Sequence, residues 1–174
     1  MTFLLDSAEG ARAIAELQSV LIVENDKIQA SMARHVLMER VRNRVHSVGT
    51  VADLIAYLNG VAYYHDRAEY PLPGVIVLNL DLPGVDGFDA LAWLRANAKF
   101  HRIHIIVTSE PAKVESLNAA VSLGADAWVC KPLNPVDFQR VTDELKLPVV
   151  FRTDVGEGTD SHLATATMTS ALRA

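Results

Sequence analysis

The chain carries a single cysteine, Cys130, so no internal disulfide and no cysteine-based metal cage can form. A cytoplasmic location is the default expectation for such cysteine usage. No run of Lys or Arg is present and the net charge is −5, which argues against nucleic acid, since a polyanion needs a basic face. The longest apolar runs are far shorter than the roughly 20 residues that a membrane-spanning helix needs. The opening MTFLLDSAEG has no basic start and no long apolar segment, so it does not read as a secretory signal. No Gly-rich phosphate loop follows the first apolar run, where only Asn25 and Asp26 stand. A flavin or nucleotide binder of doubly wound fold therefore remains a weak alternative. No internal repeat is visible, and 174 residues suit one domain of ordinary size.

What is present is an alternation. Five short runs rich in Val and Ile have the length of strands: Ser19–Val23, Arg44–Val48, Gly74–Asn79, His104–Ser109 and Ala127–Lys131. Three of them are continuously apolar, as strands covered on both faces are. The stretches between them read as helices. The first is capped by Asp26, with Gln29 three residues on, and has an apolar stripe of Ile28, Met32, Ala33, Val36 and Leu37. Thr50 caps a second, with Leu54, Ile55 and Leu58 on one face; Phe88, Leu91 and Leu94 mark a third. Pro111 opens a fourth, with Val114, Leu117 and Val121 inward and Gly124 as its stop. Asn134-Pro135 starts a fifth, carrying Phe138, Val141 and Leu145.

Strands alternating with helices predict an α/β fold, a doubly wound five-stranded parallel sheet with the flavodoxin-like strand order 2-1-3-4-5. Residues 1–18 read as an N-terminal extension, with a helix over Ala8–Gln18. Residues 19–146 form the domain, and 147–174 a C-terminal arm and a Gly/Ser/Thr/Ala-rich tail that composition marks as mobile. The crevice of such a sheet lies beyond the carboxyl ends of its strands. That places Glu24, Asn25 and Asp26, Asn79 to Asp81, Thr108 and Ser109, and Lys131 together.

These residues carry a resemblance. LIVEND at 21–26, VLNLDLPGVDG at 77–87, VTSE at 107–110 and KP at 131–132 resemble, in order, the four signature segments of response-regulator receiver domains. The similarity covers roughly Ser19 to Leu145. The long second connection, YYHDRAEYPLP at 63–73, and the C-terminal extension resemble the stand-alone regulators that partner bacterial phytochromes. The resemblance implies a non-enzymatic signalling domain of a two-component phosphorelay, with a histidine kinase or an output protein as partner. In that family an acidic pair after the first strand binds Mg²⁺, and an Asp ending the third strand accepts the phosphoryl group. A Thr or Ser and a Lys before Pro contact the phosphoryl oxygens. By the same resemblance Glu24, Thr108 and Lys131 match, and the Lys131–Pro132 bond is expected to be cis. Asn25 replaces the metal-ligating Asp, Asn79 falls on the phosphoacceptor, and Trp128 takes the position of the switch aromatic.

The substitutions have chemical consequences. Asn79 offers a neutral carboxamide where the nucleophile should be a carboxylate. Mg²⁺ asks for hard anionic oxygens, and only Glu24 remains of the expected set. Glu24 and Lys131 can neutralise each other, so no metal and no Mg²⁺ cofactor is expected. The expectation is an atypical receiver, or pseudo-receiver, working through protein–protein contact. The alternative is a Mg²⁺-dependent phosphoaccepting regulator using Asp81 or Asp26, although helix capping already accounts for Asp26. Asp86-Gly87 reads as turn and cap chemistry, His101 and His104 as surface residues, and Cys130 as core. Trp128 is expected near the surface, on a face made by the fourth helix, fifth strand and fifth helix that could support a homodimer. Pro148–Arg152 is expected to serve as a short arm packed on the neighbouring subunit.

Overall fold

The structure is a computed structural model that describes residues 18–84, 86–110 and 114–152. The expected helix before the first strand, the opening of the fourth helix at Pro111 and the tail from 153 all lie outside them.

The strands are β1 (Ser19–Val23), β2 (Val45–Val48), β3 (Pro73–Asn79), β4 (His104–Ser109) and β5 (Ala127–Cys130). They form one parallel sheet in the order β2-β1-β3-β4-β5. The helices between them are α1 (Lys27–Arg40), α2 (Val51–Asn59), α3 (Gly87–Ala96), α4 (Val114–Ser122) and α5 (Pro135–Glu144). Successive side chains on a strand point to opposite faces, so each strand feeds two cores. Val20, Ile22, Val75, Val77 and Ile106 pack with Leu37 of α1 and Phe138 and Val141 of α5. Leu21, Val23, Ile76, Leu78, Ile105 and Val107 pack on the other face with Leu54, Tyr57 and Leu58 of α2, Leu91 and Leu94 of α3 and Leu117 of α4. The central strands β1 and β3 are buried along their whole length, which explains their unbroken apolar runs.

The expected caps form. Asp26 Oδ1 accepts from the N–H of Ile28 and Gln29 at 2.8 and 2.9 Å, and Thr50 Oγ1 accepts from Asp53 N–H at 3.0 Å. Asp86 and Asn134 cap α3 and α5 in the same way. Gly124 has φ of +104°, the left-handed region that only glycine enters freely, and follows α4 as its stop.

Several inward assignments are corrected. Ile28 is 72% exposed and Met32 57% exposed. Of the expected stripe, Ala33 and Val36 are half-buried and Leu37 is buried, and the inward line continues to Ala30 and Val41, while Ile28 and Met32 stand out of it. Val121, in the last turn of α4, and Leu145, the residue that caps the C-terminus of α5, are exposed. Cys130 is only half-buried, since β5 is an edge strand. Burial and the nearby Asp137 and Glu110 push its thiol upward.

The Pro148–Arg152 arm packs on its own chain. Asn43 Nδ2 donates to Pro148 O at 2.8 Å and Asn43 Oδ1 accepts from Val150 N–H at 2.8 Å. Phe151 forms an antiparallel bridge with Val41, and Arg152 N–H donates to Arg40 O at 2.7 Å. One buried side-chain amide supplies both a donor and an acceptor to an extended backbone, which is why this segment is held.

Candidate functional site

Four strand ends converge at one edge of the sheet. Glu24 follows β1, Asn79 ends β3, Thr108 and Ser109 end β4, and Lys131 follows β5, and all of these residues except Lys131 are buried. Asn79 and Thr108 are register partners. Gly87 allows the first turn of α3 to close over this edge, since a Cβ there would lie 2.5 Å from Asn79 O and Leu80 Cα.

Glu24 is the hub. Its Oε2 accepts from Lys131 Nζ at 2.7 Å, with the two side chains 7% and 10% exposed. Its Oε1 accepts from Asn79 Nδ2 and from Asp26 N–H, each at 3.1 Å. The orientation of the Asn79 amide follows from its partners. Oδ1 accepts from Asp81 N–H at 2.9 Å, while Nδ2 faces Glu24 and also approaches Asn25 Oδ1 and Asp81 O, each at 3.2 Å. A carboxylate at 79 would keep the first bond, lose the donor and stand against Glu24 with like charge. The Lys131–Pro132 bond is cis. Lys131 N–H donates to Ser109 O at 3.0 Å, while Ser109 Oγ is buried without a partner among the described residues.

The structure thus brings Glu24, Asn79 and Lys131 into direct contact, with Asn25 at the rim and Thr108 lining the same cleft. The carboxylate of Asp26 stays outside that cluster. Asp26 is exposed and spends Oδ1 on the cap of α1; Asp81 is exposed and joins Asn79 through its backbone. Trp128 is half-buried against the core under α2–α4, neither an inward core residue nor fully at the surface.

The donor set does not fit a Mg²⁺ ion. That ion asks for near-octahedral oxygens including one or two carboxylates. The one carboxylate in contact here already holds an ammonium, a carboxamide and a backbone N–H. No group of three His, Cys, Asp or Glu that could hold a metal occurs among the described residues.

The family model described as the response regulator receiver domain matches residues 20–143. The chain belongs to the response-regulator receiver family. Among curated relatives, the response regulator Rcp1 of Synechocystis is 25% identical over 130 residues, covering 73% of this chain and 85% of that protein. The two-component response regulator PhoP of Pseudomonas aeruginosa is 33% identical over 140 residues, covering 79% of this chain but only 53% of its own length. Among solved structures, the bacteriophytochrome response regulator AtBRR superposes with a TM-score of 0.68 at 26% identity, covering 82% of this chain and 99% of that one. The fold and the two-component receiver assignment follow, and phytochrome-associated regulators are among the structural neighbours. No helix among the described residues is long and apolar enough to cross a membrane.

Sequence reasoning missed three elements that shape the receiver. Arg67, in the long connection, donates to Tyr57 O and Leu58 O at 2.7 Å each and to Tyr70 O at 3.1 Å, satisfying the last carbonyls of α2. Arg95 joins α3 to Gly124 O, Ile103 O and Asp126 within 2.8 Å. His46 sits among Tyr57 and Tyr70 with ring centroids 5.8 and 5.5 Å away. Only the clustering of tyrosines at 57, 63, 64 and 70 hinted at the last of these.

Proposed function

We propose that this receiver signals without an aspartyl phosphate, as a pseudo-receiver whose output is contact with protein partners of a two-component pathway. The observation that carries the reading is the closed network at the phosphoacceptor position. Asn79 lacks an anionic nucleophile, and Lys131, the cation that would meet a phosphoryl group, is spent on Glu24 at 2.7 Å. The internal ion pair occupies the place of metal and phosphoryl charge, so the domain holds one state. Thr108 then has no phosphoryl oxygen to approach, and the switch position at Trp128 is not driven through it. The partner is a histidine kinase or an output protein, met as an adaptor or competitor, and the domain carries no catalytic activity of its own. The alternative is phosphorylation on Asp81 or Asp26, of which Asp26 has its Oδ1 engaged in capping α1.

Magnesium titration followed by Trp fluorescence tests this. The wild type should show no response at millimolar Mg²⁺. Asn79→Asp alone should gain little, because Asn25 still supplies no charge, whereas Asn25→Asp with Asn79→Asp should bind clearly. Tight binding by the wild type or by the single variant contradicts the reading.

A further inference from the structure

A cleft of about 80 Å³ opens between α1 and the turn after β5. Met32, Ala33 and Val36 share one side of α1 and form its first wall, and Pro132 and Leu133 form the second. Its polar lining is the buried Glu24 and Thr108, Lys131, and the exposed Gln29. Neither Asn25 nor Asn79 lines it, so the cleft is distinct from the phosphoacceptor position.

Lys131 is under-used there. An ammonium has three N–H donors. Among the described residues its Nζ meets one acceptor, Glu24 Oε2 at 2.7 Å, although the side chain is only 10% exposed. Donors left over in a buried group are costly. Water can meet them, but it gains nothing from the apolar walls beside them. A molecule with an acceptor at one end and an apolar body answers both.

Charge selects among such molecules. Glu24 and Lys131 already neutralise each other. A carboxylate or phosphate brought to Lys131 stands beside the Glu24 carboxylate, and a cation brought to Glu24 stands beside Lys131; like charges at such a place oppose each other. A neutral carbonyl or hydroxyl oxygen avoids both. Size sets the other limit. An apolar cavity of about 150 Å³ takes up benzene. At about 80 Å³ this cleft seats a shorter group of a few carbons.

We propose that the cleft binds a small neutral amphipath, a short-chain amide, ketone or alcohol, with its oxygen accepting from Lys131 Nζ and its carbon body between α1 and Leu133. Such a ligand gives a receiver that takes no phosphoryl group an input at the same lysine. That role rests on the pseudo-receiver reading; the binding itself does not.

Three molecules of one shape and different charge test it: isobutyramide, neutral; isobutyrate, an anion; and isobutyramidine, a cation. The full chain carries ¹³C-methyl methionine, the Met32 signal is identified with Met32→Leu, and Met38, which does not line the cleft, is the control. Isobutyramide at millimolar concentration should move the Met32 methyl saturably and leave Met38 in place, with NOEs from its own methyls to Met32 and Leu133. Isobutyrate and isobutyramidine should bind more weakly by at least a factor of about ten. Ala33→Leu, which fills the cleft, should abolish the shift; the NOEs locate the ligand even where that variant does not fold. A shift that does not saturate, equal movement of Met32 and Met38, NOEs elsewhere, or a shift that survives in folded Ala33→Leu overturns the site. Binding of either charged molecule as tight as that of isobutyramide overturns the neutral class. No Mg²⁺ or acetyl phosphate is present, so failure here leaves the phosphoryl reading standing.

Discussion

Glu24 receives three donors on two oxygens while 7% exposed, and among the described residues Lys131 is its one full counter-charge in contact. A buried ion pair adds little net stability, but removing one partner strands the other, at a cost of about 3–5 kcal/mol. Lys131→Met should therefore lower the unfolding free energy by about 3 kcal/mol. Adding Glu24→Gln should recover most of it, because the stranded charge is gone. Urea unfolding of the single and double variants decides this; equal stability of the single variant and the wild type would show that solvent reaches the pair. The residues of this network were legible in the sequence because each stands at the end of its own apolar run. The contact itself was inferable only from charge: with Asn at 25 and 79, one carboxylate and one ammonium were left to meet. The amide network around Asn79 was not legible, since it depends on the backbone of Asp81 turning back beneath it.

At the scale of elements, strand positions follow the apolar runs to within a residue, whereas helix faces were harder. The stripe expected on α1 held Ala33, Val36 and Leu37, which do turn inward, but also took in the larger Ile28 and Met32, which do not. Packing chose Ala30 and Ala33 for the sheet side, where close approach favours small side chains, and left Ile28 and Met32 on the flank. The connection after α2 was opaque because its order rests on Arg67 meeting carbonyls nine and ten residues away. The β2 edge carries a pH dependence of its own. His46 has a lowered pKa, chiefly from burial and further from Arg44 and Arg34, with Glu69 acting the other way, and its Nε2 is buried without a hydrogen bond among the described residues. The unfolded chain then binds a proton more readily than the folded one. The contribution of His46 is fully present above the ordinary value of 6.5 and is lost as pH falls through the lower folded value. Urea midpoints measured from neutral pH downward should fall more steeply for the wild type than for His46→Phe. Parallel curves for the two proteins would show that this ring titrates as freely folded as unfolded.

For the molecule as a whole, the sheet order and the division into two cores were readable from the alternation of elements, because parallel strands joined by helices leave few arrangements. What lies on the outside was not, since exposed apolar residues obey no period. Trp128 is half-buried and packed against the core under α2–α4, its indole N–H makes no hydrogen bond among the described residues, and tryptophan is enriched among residues that dominate interfaces. The face of α4, β5 and α5 is accordingly proposed as a homodimer surface. Sedimentation should show a wild-type dimer at tens of micromolar and a shift to monomer for Trp128→Ala; a monomeric wild type would remove this surface from the account.

The central claim is that the pocket takes no phosphoryl group. Intact-mass measurement of the full chain after incubation with acetyl phosphate and Mg²⁺ tests it most directly. The account predicts a single unshifted mass under conditions that phosphorylate an ordinary receiver. A stoichiometric gain of one phosphoryl group, removed by hydroxylamine as an acyl phosphate is, would contradict it and direct attention to Asp81 and Asp26.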